Sequence, residues 1–112
     1  STHGEPVPCR ALTSAMLSRA YSLQRLGKVN AAIAEYSRCI ASGGCDSVEP
    51  YYNRAALLQL KGRTQKAIID LNDAASVDPG NVSVYWMRSI LHRRQNKFLE
   101  ATADVLAASR MC

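Results

Sequence analysis

Three arginines, Arg19, Arg54 and Arg88, are each followed 16 residues later by an acid: Glu35, Asp70 and Asp104. A guanidinium is a rigid fork of donors that fits a carboxylate through two parallel hydrogen bonds. Three pairs at one spacing point to an ion pair built into a repeating unit, bidentate where geometry permits. The competing chemistry is a row of arginines open to phosphate or carboxylate ligands. Each arginine has an acid of its own, so we place the structural pairing first, although desolvation offsets much of what a buried pair gains.

Other chemistry-bearing residues are few. The histidines are His3 and His92, and neither has a Cys, Ser or Asp at a spacing that suggests a nucleophile and its base. His92 falls at a packed place and reads as a satisfied or rim histidine. The cysteines, Cys9, Cys39, Cys45 and Cys112, form no C-x-x-C and have no histidine at ligand spacing, so no zinc site is expected. Nothing in their spacing implies a disulfide framework, and a reducing, cytoplasmic setting is expected. Gly43-Gly44 lacks the Lys-Ser/Thr of a phosphate loop. The expectation is a protein without catalytic residues, metal or cofactor.

The elements that must hold the arginines and acids follow from an internal repeat. Ala20 aligns with Ala55 and Ser89, Ala32 with Ala67 and Ala101, Cys39 with Ala74 and Ala108. Gly27 aligns with Gly62 and Asn96. Val48 and Val82 lie 34 residues apart, and Gly27 and Gly62 lie 35 apart. A period of this size marks stacked pairs of helices. Within each copy apolar residues recur at three and four, as in Tyr51, Ala55, Leu58 and again in Ala67, Ile68, Leu71, Ala74, Ala75. Gly27 and Gly62 read as helix-ending residues, Asp78-Pro79-Gly80-Asn81 as a turn, and Ser47 and Asn81 as caps of the helices that follow. Helices are predicted at roughly 10–26, 29–42, 48–61, 64–77, 82–95 and 98–111. Cys39, standing where other copies have Ala, reads as a small buried thiol.

The 112 residues are 47% hydrophobic and 21% charged, which fits one ordinary soluble domain. No stretch approaches the roughly 18 apolar residues of a membrane span. Residues 1–9 carry two prolines, little to bury and no signal-peptide organisation, and are expected to be a disordered lead-in. Residues 10–112 are expected to form a single domain with copies at about 13–47, 48–81 and 82–112. With no initiator Met and no polar closing helix, the chain reads as a slice of a longer protein.

The second copy, with Tyr51, Ala55, Leu58, Gly62, Ala67, Leu71, Ala74 and Pro79, resembles the tetratricopeptide repeat. The first copy departs from the pattern at Met16 and at Ala41–Cys45, and the third at His92 and Asn96. The resemblance implies an all-α, right-handed superhelical solenoid of three antiparallel helix-turn-helix repeats. It also implies that the first helix of each pair lines a concave groove. On that side fall Leu17, Ser18 and Tyr21, then Glu49, Tyr52, Asn53, Ala56 and Gln59, then Ser83, Trp86, Met87, Ile90 and Arg93. Large aromatics on a groove are the usual anchors of protein recognition, and Trp86 is the first choice, since Tyr85 beside it takes the packing position. Packing between helices is the alternative for any one of these residues. Relatives that grip chaperone C-termini use a clamp of basic and asparagine residues. Only Asn53 matches it; Leu17, Tyr21, Ser83 and Met87 stand at the other places. A partner with apolar side chains, extended or helical, fits better.

Positive charge concentrates in the turns inside each pair: Arg25 and Lys28; Lys61, Arg63 and Lys66; Arg93, Arg94 and Lys97. These are eight of 14 basic residues against nine acidic ones, for a net charge of +5. A solvated edge is the first reading, a site for acidic partners the second, and nucleic acid the weakest for want of interleaved aromatics. The leading expectation is a scaffold or adaptor module, co-chaperone-like in kind, that binds a peptide or helix. The alternative is a segment of a longer solenoid, or a unit that self-associates through the last helix with its Ala101, Val105 and Ala108.

Overall fold

A computed structural model describes residues 9–43 and 47–111, with side chains from Leu12 onward. All regular structure among them is helical. The elements are α1 (Cys9–Arg25), α2 (Val29–Ala41), α3 (Glu49–Leu60), α4 (Thr64–Val77), α5 (Val82–Arg94) and α6 (Phe98–Met111). They pair as α1 with α2, α3 with α4 and α5 with α6, and α5 also packs on α4. Two compact units result, residues 1–46 and residues 47–112. Cys9 already belongs to α1, one residue ahead of the expected helix start; residues 1–8 of the expected lead-in lie outside the described residues.

The three turns inside the hairpins are one construction made three times. Gly27, Gly62 and Asn96 all adopt positive φ, at 78°, 74° and 61°. In each turn the left-handed residue donates its N–H to the carbonyl three residues back, at 2.9–3.0 Å. The next residue (Lys28, Arg63 or Lys97) donates to the carbonyl five back, that of Leu23, Leu58 or His92, at 2.9 Å. This double bond pattern satisfies the carbonyls that a helix end leaves open. Asn tolerates the left-handed region better than most residues, so the third turn keeps its geometry without glycine.

One of the two predicted helix caps differs from expectation. Asn81 Oδ1 accepts from the Val84 N–H at 3.3 Å and caps α5 as predicted. The N-cap of α3 is Val48, without a side-chain cap; Ser47 Oγ accepts from the Glu49 N–H at 3.1 Å instead. Pro50 falls in the first turn of α3, where its missing N–H would have had no helical partner.

The small aligned residues occupy the helix crossings. Ala20, Ala32 and Cys39 are fully buried in the first hairpin, and Ala55, Ala67 and Ala74 in the second. Ser89, Ala101 and Ala108 are buried in the third. With almost no side chain at these points the backbones come close, and larger residues fill the flanks: Tyr36 in the first unit, Leu71, Val84 and Leu91 in the second. Tyr36 keeps its hydroxyl satisfied by donating to Gln24 Oε1 at 2.8 Å.

Candidate functional site

Two of the arginine–carboxylate pairs tie the helices of their hairpins together through short forks, while the third, Arg19–Glu35, is a loose 3.9 Å contact. Arg54 on α3 donates from Nε and Nη2 to Asp70 on α4 at 2.8 and 2.6 Å. Arg88 on α5 repeats the fork on Asp104 of α6 at 2.9 and 2.7 Å. Both acids are buried and the arginine side chains are only 21% and 19% exposed. The hydrogen bond to Asp70 raises the Arg54 pKa above its ordinary value against the opposing effect of burial, and Asp104 does the same for Arg88. The stabilisation linked to a raised arginine pKa is complete below the ordinary value and is lost only as pH climbs through the raised one, beyond any working pH. These two arginines are committed to structure and do not form a ligand row.

Arg88 does more than its counterpart. Its Nη1 donates to Asn72 Oδ1 at 3.0 Å, linking α5 to α4, and its guanidinium lies 5.2 Å from the Tyr85 ring centre. His92, at the place of buried Leu58, puts Nε2 3.7 Å from Asp104 Oδ2. Its Nδ1 is buried and has no hydrogen-bond partner among the described residues. His92 is therefore only half accommodated.

The residues predicted for the groove fall in separate places. Leu17 and Tyr21 lie on α1, Leu17 half-buried and Tyr21 exposed. In the second unit, Glu49, Tyr52 and Asn53 of α3 and Ser83 of α5 line one recess of about 270 Å³, together with Val48 and Asn81. Trp86, Ile90 and Arg93 line a second recess of about 210 Å³ between α5 and α6, closed by Phe98, Thr102 and Val105. Met87 and Ala56 are half-buried, and Gln59 Oε1 accepts from the Thr64 hydroxyl at 3.1 Å. Phe98 and Thr102 were absent from the predicted site; for Thr102 the signal that could have named it was register, whereas Phe98 stands one period after the polar Thr64 and had none. Thr102 and Val105 stand one period after Ile68 and Leu71, which are buried on α4. On α6 the same places stay open: Val105 is 42% exposed, with Phe98, Leu99 and Leu106 exposed beside it.

The first recess combines a phenol, an amide and a carboxylate, suited to hydrogen-bonding an extended backbone. The second is apolar with one cation at its rim, suited to an aliphatic or aromatic side chain. Among the described residues no group of His, Cys, Asp or Glu could hold a metal ion, and no helix is long and apolar enough to cross a membrane.

Comparison with known proteins agrees with this architecture. Residues 48–81 match the tetratricopeptide repeat family model. Tetratricopeptide repeat protein 34 of Homo sapiens is 30% identical over 80 residues, 71% of this chain and 14% of that protein. The chain thus spans a small part of that relative's length. Among solved structures, the second TPR of Spaghetti (RPAP3), bound to HSP90 peptide SRMEEVD, superposes with a TM-score of 0.81 at 22% identity, covering 89% of this chain and 92% of that one. The Yersinia enterocolitica type III secretion chaperone SycD, in complex with a peptide of the translocator YopD, gives a TM-score of 0.81 at 15% identity, covering 88% and 74%. These likenesses establish the fold.

Proposed function

From the premise that the chain carries tetratricopeptide repeats, we propose that it is a non-catalytic protein-interaction module whose second unit takes up a peptide or helix bearing apolar side chains. Two of the superposed neighbours are seen in complex with peptides. The observation that carries the reading for this chain is Trp86, an exposed indole at the mouth of an apolar recess. A large aromatic left in water beside a recess gains more from a partner than from its present surroundings. Tyr52 and Asn53, on the neighbouring recess, would hold the partner's backbone. A chaperone tail such as SRMEEVD is a poor match, because Ser83 and Met87 stand where the resemblance calls for cations. Whether the wider role is that of a scaffold or a co-chaperone-like adaptor follows from the partner.

The test is capture of the native partner by the wild-type chain and by Trp86→Ala and Tyr52→Ala variants. Loss of capture in both, with the helical signal intact, supports the reading; undiminished capture by both overturns it. In parallel, a labelled SRMEEVD peptide is expected to show no saturable binding, and tight binding would restore the clamp.

A second reading, a segment of a longer solenoid or a self-associating unit, draws on the open α6 face. Leu71 is covered while Val105, one period later, is not. Arrays of this kind close their last face with a polar element or a further copy. Light scattering across concentration separates self-association from a strict monomer.

A further inference from the structure

Where the described chain leaves large apolar side chains most open to water is not the recess but the hairpin turns. Leu99, Leu60 and Leu26 are 83%, 75% and 71% exposed, more than any other large apolar residue described. Each stands within a few residues of the turn cations. Leu60 precedes Lys61, Arg63 and Lys66; Leu99 follows Arg93, Arg94 and Lys97; Leu26 lies between Arg25 and Lys28.

In the second unit the two turns form one edge. The Gln95 side chain donates to Gln65 Oε1 at 3.1 Å, so the α3–α4 and α5–α6 turns are tied side by side. That edge gathers six cations. Five of them, Arg63, Lys66, Arg93, Arg94 and Lys97, are exposed and are held in no ion pair among the described residues. No acid occurs from Gln59 to Ala67 or from Arg93 to Leu99; the nearest on the α6 side is Glu100. By contrast the buried acids Asp70 and Asp104 are consumed by Arg54 and Arg88 inside the hairpins and neutralise nothing at the edge.

A strong field of one sign attracts any anionic partner, so charge alone does not choose among them. The leucines do. A nucleic acid, or a peptide of acidic residues alone, gains little from two exposed aliphatic side chains among its contacts, and Phe98, the aromatic at this edge, lines the α5–α6 recess. A bilayer interface offers phosphates to the cations and an acyl boundary to the leucines. The side chains of lysine and arginine can extend to the headgroups while their stems and the leucines lie lower. We propose that the edge formed by the α3–α4 and α5–α6 turns docks peripherally on an anionic membrane surface, with Leu60 and Leu99 as the inserted residues. Arg93 and Phe98 belong both to this edge and to the α5–α6 recess, whereas Leu60, Leu99, Arg63 and Arg94 line neither recess assigned to a protein partner.

The experiment is co-sedimentation of the 112-residue chain with vesicles of phosphatidylcholine alone and with about 30% phosphatidylserine, at about 50 and about 200 mM salt. Binding is expected on the anionic vesicles only, and weaker at the higher salt. Arg63→Ala with Arg94→Ala is expected to weaken it about tenfold. Leu60→Ser with Leu99→Ser, which leaves the charge unchanged, is expected to weaken it about fivefold. Circular dichroism checks that each variant keeps its helices, and a milder Leu60→Ala with Leu99→Ala pair serves if the serine pair unfolds. Absence of sedimentation at low salt, equal binding to neutral vesicles, or binding indifferent to both leucine pairs overturns the proposal. Tighter retention on heparin or RNA than on anionic vesicles overturns it in favour of a polyanion.

Discussion

The first hairpin and the two that follow set an arginine and an acid in the same register and make different bonds with them. Arg54–Asp70 and Arg88–Asp104 are closed forks at 2.6–2.9 Å. Arg19–Glu35 is a loose contact of 3.9 Å, and Glu35 also faces Arg38 at 3.4 Å. Arg19 is 69% exposed, against about one fifth for the other two. The acid is the visible difference. Aspartate reaches across with one flexible torsion before its carboxylate, whereas glutamate carries another and divides itself between two arginines. A pair whose partners are already fixed by packing loses little entropy in closing; a pair on a mobile, solvated arm loses more and gains less. Equal spacing in sequence is therefore not equal energy in the fold.

The comparison can be broken at its strong end first. Asp70→Ala strands the guanidinium of Arg54 in a mostly buried place and should cost about 3 kcal/mol in urea unfolding. Arg88→Met leaves Asp104, among the described residues, with only His92 at 3.7 Å and releases Asn72; a loss of about 2 kcal/mol is expected from the same measurement. His92→Leu should act the other way. It removes the orphaned Nδ1, installs the residue type found one period earlier, and is expected to add about 1 kcal/mol, read as a rise in the thermal midpoint. The smallest effect belongs to the first hairpin, where Arg19→Met should change stability by less than about 0.5 kcal/mol. A cost at Arg19 equal to that at Asp70 would mean that the difference in geometry carries no energetic weight.

Much of the fold was legible because small residues and turn residues have few physical meanings. An alanine recurring at a fixed period can only mark a close approach, and the helices lie within about two residues of the expected bounds. Asn96 was readable as a glycine substitute from alignment alone. The pairing of Arg54 and Arg88 was also readable, but the looseness of Arg19 was not, since it depends on side-chain length and exposure together. The candidate site was less legible. Tyr52 and Trp86 share a register position, yet they line different recesses, because Tyr52 shares its recess with the start of α5 and Trp86 sits where α6 leaves a face uncovered. Register says which residues are equivalent; it does not say which of them has a neighbour.

Cys39 adds a consequence of a different kind. Its thiol occupies an alanine place, is fully buried and uncrosslinked, and lies 4.0 Å from the Thr13 carbonyl oxygen across the first hairpin. A thiol reagent can reach it only when α2 parts from α1. The rate of its modification, resolved from the other cysteines by peptide mapping, therefore times the breathing of the hairpin whose ion pair is weakest, and the chain carries its own stopwatch for that motion.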